Sequence, residues 1–156
     1  VAYGGPEYAI GQFMATFYHR MPMIDPNTVA AGIGYYTDGS YTVCCVDMRN
    51  DWQWNNDTAT KVVVYPSDNT FDVPNGFQNE RPNPIPDSIE FAGYPITLQF
   101  FKMGSIKNVQ ALLTDSKGRK VECILSTPDA PLTDFPQANQ VCIIPLHSLQ
   151  YNTTET

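Results

Sequence analysis

The hydrophobic rhythm changes along the chain. In residues 7–20, EYAIGQFMATFYHR, the apolar Ile10, Phe13, Met14 and Phe17 fall at i, i+3, i+4 and i+7. That spacing puts them on one stripe of a helix. Pro6 suits a first helical turn, where its missing N–H costs nothing, and Pro22 with Asp25-Pro26 ends the segment. Gly11 weakens the helix slightly. Two strand-like runs follow, AAGIGYY over 30–36 and YTVCCVDM over 41–48. Asp38-Gly39 between them is a hairpin signal, because Gly takes the positive φ that tight turns need. Residues 50–60, NDWQWNNDTAT, are polar and turn-rich and read as a linker.

From Lys61 onward the pattern is strands and loops only. KVVVYP is a β-branched run stopped by Pro66, and the stretches SDNTFDVPNGF and NERPNPIPD are punctuated by turn residues. Four more strand-like runs cover 94–101, 107–115, 120–128 and 139–146, with Ser116-Lys117-Gly118 as a tight turn between the middle two. Val109, Ala111 and Leu113 alternate, as do Val121, Cys123 and Leu125, so each of those runs is expected to bury one face. Short strands at this spacing point to a β-sandwich. No fixed-period repeat is present.

Composition sharpens the picture. Apolar residues make up 42% of the 156, enough for a packed core, and 13 Pro with 10 Gly favour frequent turns. Only 16% of residues are charged, against roughly 25% in ordinary soluble domains, so Asn, Thr, Ser and Gln must cover the surface. The net charge is −7 with no basic cluster, which argues against nucleic acid and against anionic lipid as partners. No apolar run reaches the roughly 18 residues of a membrane span. The chain starts at Val1 without a signal-peptide pattern, so a natural N-terminus upstream is expected.

The chemistry-bearing residues are few. Cys44, Cys45, Cys123 and Cys142 include no CxxC pair, and the chain has 2 His, so a structural zinc site is not expected. Cys123 and Cys142 stand in separate strand-like runs. They read either as a cross-strand disulfide or as two buried thiols. A bond between adjacent Cys44 and Cys45 would need a strained turn. Asn56-Asp57-Thr58 and Asn152-Thr153-Thr154 match the N-glycosylation pattern. His19, at the end of the helical run, has no neighbouring nucleophile or paired carboxylate. It reads as a helix C-terminal histidine, and His147 as a surface residue. Asp68 to Asp72 reads as turn chemistry. Trp52 and Trp54, with Tyr35, Tyr36 and Tyr41, could stack on a sugar or anchor a protein partner. The plainer expectation is that these aromatics pack between the helical segment and the sandwich. No Gly-rich phosphate loop and no G-x-S-x-G occur.

The run FMATFYHRMPMIDPNTVAAGIGYYTDGSYTVCCVDM resembles the C-terminal half of a bacterial CAP domain, the superfamily of cysteine-rich secretory proteins, antigen 5 and pathogenesis-related proteins. The carriers are His19-Arg20, then Ile24-Asp25-Pro26, then Gly32-Ile33-Gly34, and last the strand from Tyr41 to Val46. The resemblance implies that His19 is one of the family's cleft histidines, which bind a divalent cation together with a second His and acidic residues. Those partners lie upstream in the family, in helices outside this chain. His19 would therefore be a metal ligand only if an upstream half-domain completed the site. Residues 61–156 are similar to bacterial Ig-like domains, through VVVYPSDNTFDVP, GYPITLQFF, VQALLTDSKGRKV and IIPLHSLQYNTT.

The expectation is a mainly-β chain. A partial CAP-like helix and hairpin over 1–49, a truncated α/β piece, leads through a 50–60 linker to an Ig-like β-sandwich over 61–156. The expected role is a non-catalytic extracellular structural or interaction module of a bacterial surface protein, without a cofactor, engaging protein partners or copies of itself in a surface assembly. Two alternatives are CAP-type cation or ligand binding through His19, and carbohydrate binding through Trp52 and Trp54.

Overall fold

A computed structural model describes residues 2–50, 61–77 and 80–151. The chain is mainly β, with antiparallel sheets and two short helices among the described residues. It divides into two compact units, Val1–Thr58 and Ala59–Thr156.

The first unit opens with strand β1 (Ala2–Tyr3) and helix α1 (Pro6–Met14). Pro6 stands in the first turn as expected, with Glu7 beside it, where a carboxylate favours the helix dipole. The helix is shorter than the apolar stripe suggests. Thr16 donates its hydroxyl to the Phe13 carbonyl at 2.8 Å, and Arg20 donates Nε to the Met14 carbonyl at 2.7 Å. Both carbonyls are thus taken by side chains from beyond the helix end. Residues 15–19 form turns, and a four-residue helix α2 (Arg20–Met23) follows. Ile10, Phe13 and Met14 are half-buried on α1, Phe17 and Tyr18 are buried in the turns, and Arg20 and Met21 are buried on α2, so the stripe is used but the helix does not run through it.

Strands β2 (Thr28–Thr37) and β3 (Thr42–Asn50) make the expected hairpin. Its turn is held by Asp38, whose Oδ1 accepts the N–H groups of Ser40 at 2.8 Å and Tyr41 at 3.1 Å, while Gly39 takes φ +87°. The sheet order is β1-β3-β2, so β2 is an edge. A register shift lies between Thr28 and Ala30; from Ala30↔Arg49 to Thr37↔Thr42 the pairing is regular.

The second unit carries a four-stranded antiparallel sheet ordered β4-β5-β9-β8. Its strands are β4 (Lys61–Tyr65), β5 (Ile96–Phe101), β8 (Cys123–Ser126) and β9 (Gln140–Pro145). A separate two-stranded ribbon joins β6 (Leu113–Thr114) to β7 (Lys120–Val121) across the turn expected at residues 116–118. The 107–115 run is strand only at its last pair, because Val109 and Ala111 have no strand beside them in the ladder.

One row of the four-stranded sheet is Tyr65, Thr97, Cys142 and Ser126, and the last three are fully buried. This side buries hydroxyl and amide groups and pairs them locally. Ser126 Oγ bonds Gln137 Oε1 at 2.7 Å, and Gln137 Nε2 donates to the Gln140 carbonyl at 2.6 Å. The adjacent row, Val64, Leu98 and Val141, is apolar, and its edge residue Val64 is exposed. Loops close on the sheet through backbone bonds from Gly93 to Pro145 at 2.8 Å and from Leu149 to Asn75 at 2.7 Å.

The Cys123–Cys142 disulfide is a correction. Cys123 pairs with Pro145 and Cys142 with Ser126, so the two cysteines lie three register steps apart on neighbouring strands. An odd offset puts their side chains on opposite faces of the sheet, about 10 Å apart along the strand at ~3.4 Å per residue, beyond the reach of a disulfide. No disulfide joins any of the four cysteines, all of which are described.

Candidate functional site

The hairpin of the first unit carries the most unusual surface. Its register sorts the side chains onto two faces. One holds Ala31 beside Met48, Ile33 beside Val46, and Tyr35 beside Cys44. The other holds Ala30 beside Arg49, Gly32 beside Asp47, Gly34 beside Cys45, and Tyr36 beside Val43. The first face is apolar from Ala31 to Tyr35 and ends in the Thr37–Thr42 pair at the tip, and the second is mostly polar or small, as expected of a sheet with one face turned to a core.

Cover on the apolar face stops at β3. Cys44 is 1% exposed, and Val46 and Met48 are half-buried. Their partners on β2 are bare: Ala31 is exposed, Ile33 is 52% exposed and Tyr35 is 65% exposed. Tyr36 and Tyr41 are exposed as well. These tyrosines are therefore not part of the first unit's own core. Tyr35 and Tyr36 take opposite faces of β2, and both are exposed.

The loop that enters β2 is built by Asp25. Its Oδ1 accepts the backbone N–H and the Nδ2 of Asn27, at 2.8 and 2.9 Å, and its Oδ2 accepts Asn50 Nδ2 at 2.9 Å. Thr28 donates its hydroxyl to Asn50 Oδ1 at 2.7 Å. The Ile24-Asp25-Pro26 element thus clamps the start of β2 to the end of β3 and fixes the hairpin's base. At its tip, main-chain N–H groups of Ser40, then of Tyr41, hold the Asp38 carboxyl below the usual carboxylate range.

His19 lies at the N-cap of α2, half-buried, with its ring stacked on Phe13 at 5.5 Å between centroids and 17° between planes. Among the described residues, no group of three or more His, Cys, Asp or Glu could hold a metal ion. Arg20 beside it is completely buried and joins α1 to α2. Trp52, Trp54, Asn56 and Asn152 lie outside the described residues. His147 is exposed. Cys45 faces solvent, whereas Cys142 is buried and Cys123 half-buried. Among the described residues, no helix is long and apolar enough to cross a membrane.

Fold and surface together define a mainly-β protein with an apolar edge strand exposed on one of its two units. Comparison with protein families, curated proteins and solved structures finds no match for this chain.

Proposed function

We propose that the chain is a non-catalytic interaction module of an extracellular or cell-surface protein, and that its first unit engages a protein partner through β2. One observation carries this reading: the apolar face of the hairpin is covered along β3 and bare along β2, at Ala31, Ile33 and Tyr35. Covering a large apolar side chain is worth roughly 1.5–3 kcal/mol, so a row of bare ones favours association. Tyrosine is also enriched where proteins meet, because a rigid ring contributes area at low entropic cost. The sparsely charged surface and the resemblance to CAP-like and Ig-like surface modules support the extracellular setting. In that reading the second unit is an Ig-like spacer.

Two labels on intact source cells and on the purified chain test the proposal. A membrane-impermeant amine reagent should reach exposed Lys117 and Lys120 on the cells. Tyrosine footprinting should find Tyr35 and Tyr36 protected on the cells but reactive in the purified, dilute chain. Unlabelled lysines on intact cells would defeat the extracellular setting. Equal tyrosine reactivity in both samples would defeat the interaction role.

A further inference from the structure

We infer that the partner of β2 is a second copy of the chain, paired antiparallel to it edge to edge about a two-fold axis at Ile33. The inference rests on the interaction reading above and gives it a specific occupant.

The edge is unguarded. Sheet edges are normally blunted by Lys, Pro, charged residues, bulges or short length. β2 is 10 residues long, contains neither Pro nor any charged residue, and has its only register shift at its start. By contrast the edges of the other unit's four-stranded sheet are short: β4 is 5 residues long, begins with Lys61 and is stopped by Pro66, and β8 is 4 residues long.

Hydrogen-bond polarity picks the register. Asp38 donates its N–H to the Tyr41 carbonyl, so at this pair the backbone groups of the two hairpin arms face each other. One step along, the Thr42 carbonyl turns away from β2 and accepts the N–H of Gly4. Antiparallel ladders alternate, so the β2 partners of Thr42, Cys44, Val46 and Met48 also turn outward. Those partners are Thr37, Tyr35, Ile33 and Ala31, whose N–H and C=O groups therefore point to the open edge. Outward groups meet only if opposed residue numbers sum to an even value, so the axis lies at one of these residues or, as a non-hydrogen-bonded pair, at a residue between them. Centring on Gly32 brings Tyr35 against Val29 in the irregular segment, and centring on Gly34 puts its outermost hydrogen-bonded pairs on Thr37, next to the turn, and sets Tyr35 against the bulkier Ile33. Centring on Ala31 runs into the register shift after Thr28, and centring on Tyr35 or Thr37 runs into the turn at Asp38. Centring on Ile33 pairs residues 30–36 of each copy wholly within the regular segment.

Side-chain size agrees with that register. Opposite residues then sum to 66 in number. Tyr35 faces Ala31 of the other copy, Tyr36 faces Ala30, Gly32 faces Gly34, and Ile33 faces Ile33. Each ring meets a methyl group and no two rings collide across the axis. The pairs Ala31–Tyr35, Ile33–Ile33 and Tyr35–Ala31 each exchange two backbone hydrogen bonds. The strand is neutral, so a chain of net charge −7 brings no like charges face to face along it. The three-stranded sheet becomes a continuous six-stranded one. The apolar faces of both copies lie on the same side, so the pairing covers the β2 row along the seam, where Ile33 meets Ile33 and Tyr35 meets Ala31. An edge pairing buries less than a standard interface, so the expected dissociation constant is micromolar or weaker.

The test uses the full chain. Sedimentation velocity from about 1 μM to 1 mM should show a reversible monomer–dimer equilibrium. Ile33→Lys places charges at the axis and should raise the dissociation constant at least about tenfold. Ile33→Pro removes an outward N–H that bonds none of the described residues, and should do the same. A mixture of ¹³C-labelled and unlabelled chains should give a filtered NOE between the Tyr35 ring and the Ala31 methyl. Within one copy these residues are four apart on a strand, about 13 Å, too far for an NOE. If the variants do not fold, the NOE on the unaltered chain decides alone. A monomer at every concentration overturns the inference, as does a dimer that Ile33→Lys leaves intact or one lacking that NOE. A monomeric purified chain whose Tyr35 is nevertheless protected on cells would overturn the self-pairing and leave the interaction role standing with another partner.

Discussion

Asn50, the last residue of β3, donates its side-chain amide to Asp25 at 2.9 Å, across 25 residues of chain. The same Asp25 holds the backbone of Asn27, and Asn50 accepts the Thr28 hydroxyl. The base of the hairpin is therefore closed by side chains, just where the strand ladder is irregular. Asn50→Ala removes both bonds and should cost about 1–2 kcal/mol, as should Asp25→Ala. The double variant should cost less than the sum of the two, because they share one bond. Urea unfolding read out by amide exchange in β3 separates this from the second unit. Strict additivity would mean that the two residues act independently.

The turn between β6 and β7 gives a pH signature. Asp115 Oδ1 accepts the N–H groups of Lys117 and Arg119, each at 2.9 Å, and Oδ2 meets Arg119 Nε at 2.6 Å. The Arg119 side-chain bond, then its N–H, then that of Lys117, hold the Asp115 carboxyl below its ordinary value of 3.8. A lowered folded value means that the carboxylate stabilises the turn fully above the unfolded value. That contribution fades as pH falls through the folded one. The turn should therefore be insensitive to pH near neutrality and loosen only on the acid side. In an NMR carboxyl titration, Arg119→Ala should move the Asp115 midpoint upward. A midpoint unmoved by that change would assign the shift to the backbone bonds instead.

Much of this architecture is legible in the sequence, and the misses have physical causes. Asp38-Gly39 and Ser116-Lys117-Gly118 announce their turns, because φ reaches +87° at Gly39 and +72° at Gly118. Pro6 announces the start of α1. The end of α1 is hidden, since Thr16 and Arg20 cap it from residues that look like more helix. The alternation of Val109 and Ala111 is equally misleading, since a strand needs a neighbour and periodicity cannot supply one. The Cys123–Cys142 pairing failed on register, which is set by loop lengths rather than by the cysteines. The same limit applies to the surface at β2. The sequence places Ile33 and Tyr35 on one face, but only three-dimensional packing leaves that face bare.

Gly93 is a position of close approach. A Cβ built there would lie 2.5 Å from the Pro145 Cβ and 2.8 Å from the His147 carbonyl oxygen. Gly93 also donates its N–H to the Pro145 carbonyl at 2.8 Å, so the loop cannot back away without losing that bond. Gly93→Ala should destabilise the second unit by about 1–3 kcal/mol, the usual range for overpacking. Amide exchange in β5 and β9 would follow the unfolding of that unit. Gly118→Ala, with open space but φ +72°, should cost less, about 1 kcal/mol. Equal losses for the two would show that the loop at Gly93 rearranges freely.

The cysteines give a chemical ruler for the sheets. Cys44 and Cys45 are adjacent, yet they take opposite faces of β3: Cys44 is buried against the apolar side and Cys45 faces solvent. Cys142 is fully buried beside Thr97 and Ser126, whereas Cys123 is half-buried on the opposite side of its sheet. A maleimide in native buffer should therefore modify Cys45 first and Cys123 next. Cys44 and Cys142 should lag Cys45 by about tenfold or more, because each requires local opening before reaction. Peptide mapping after timed quenching reads the order directly. Rapid modification of Cys142 would mean that the four-stranded sheet opens readily, and equal rates at Cys44 and Cys45 would mean that the cover on β3 is not stable. A mass two hydrogens low before reduction, with Cys123 and Cys142 in one linked peptide, would contradict the three-step offset between them and require β8 to shift along β9.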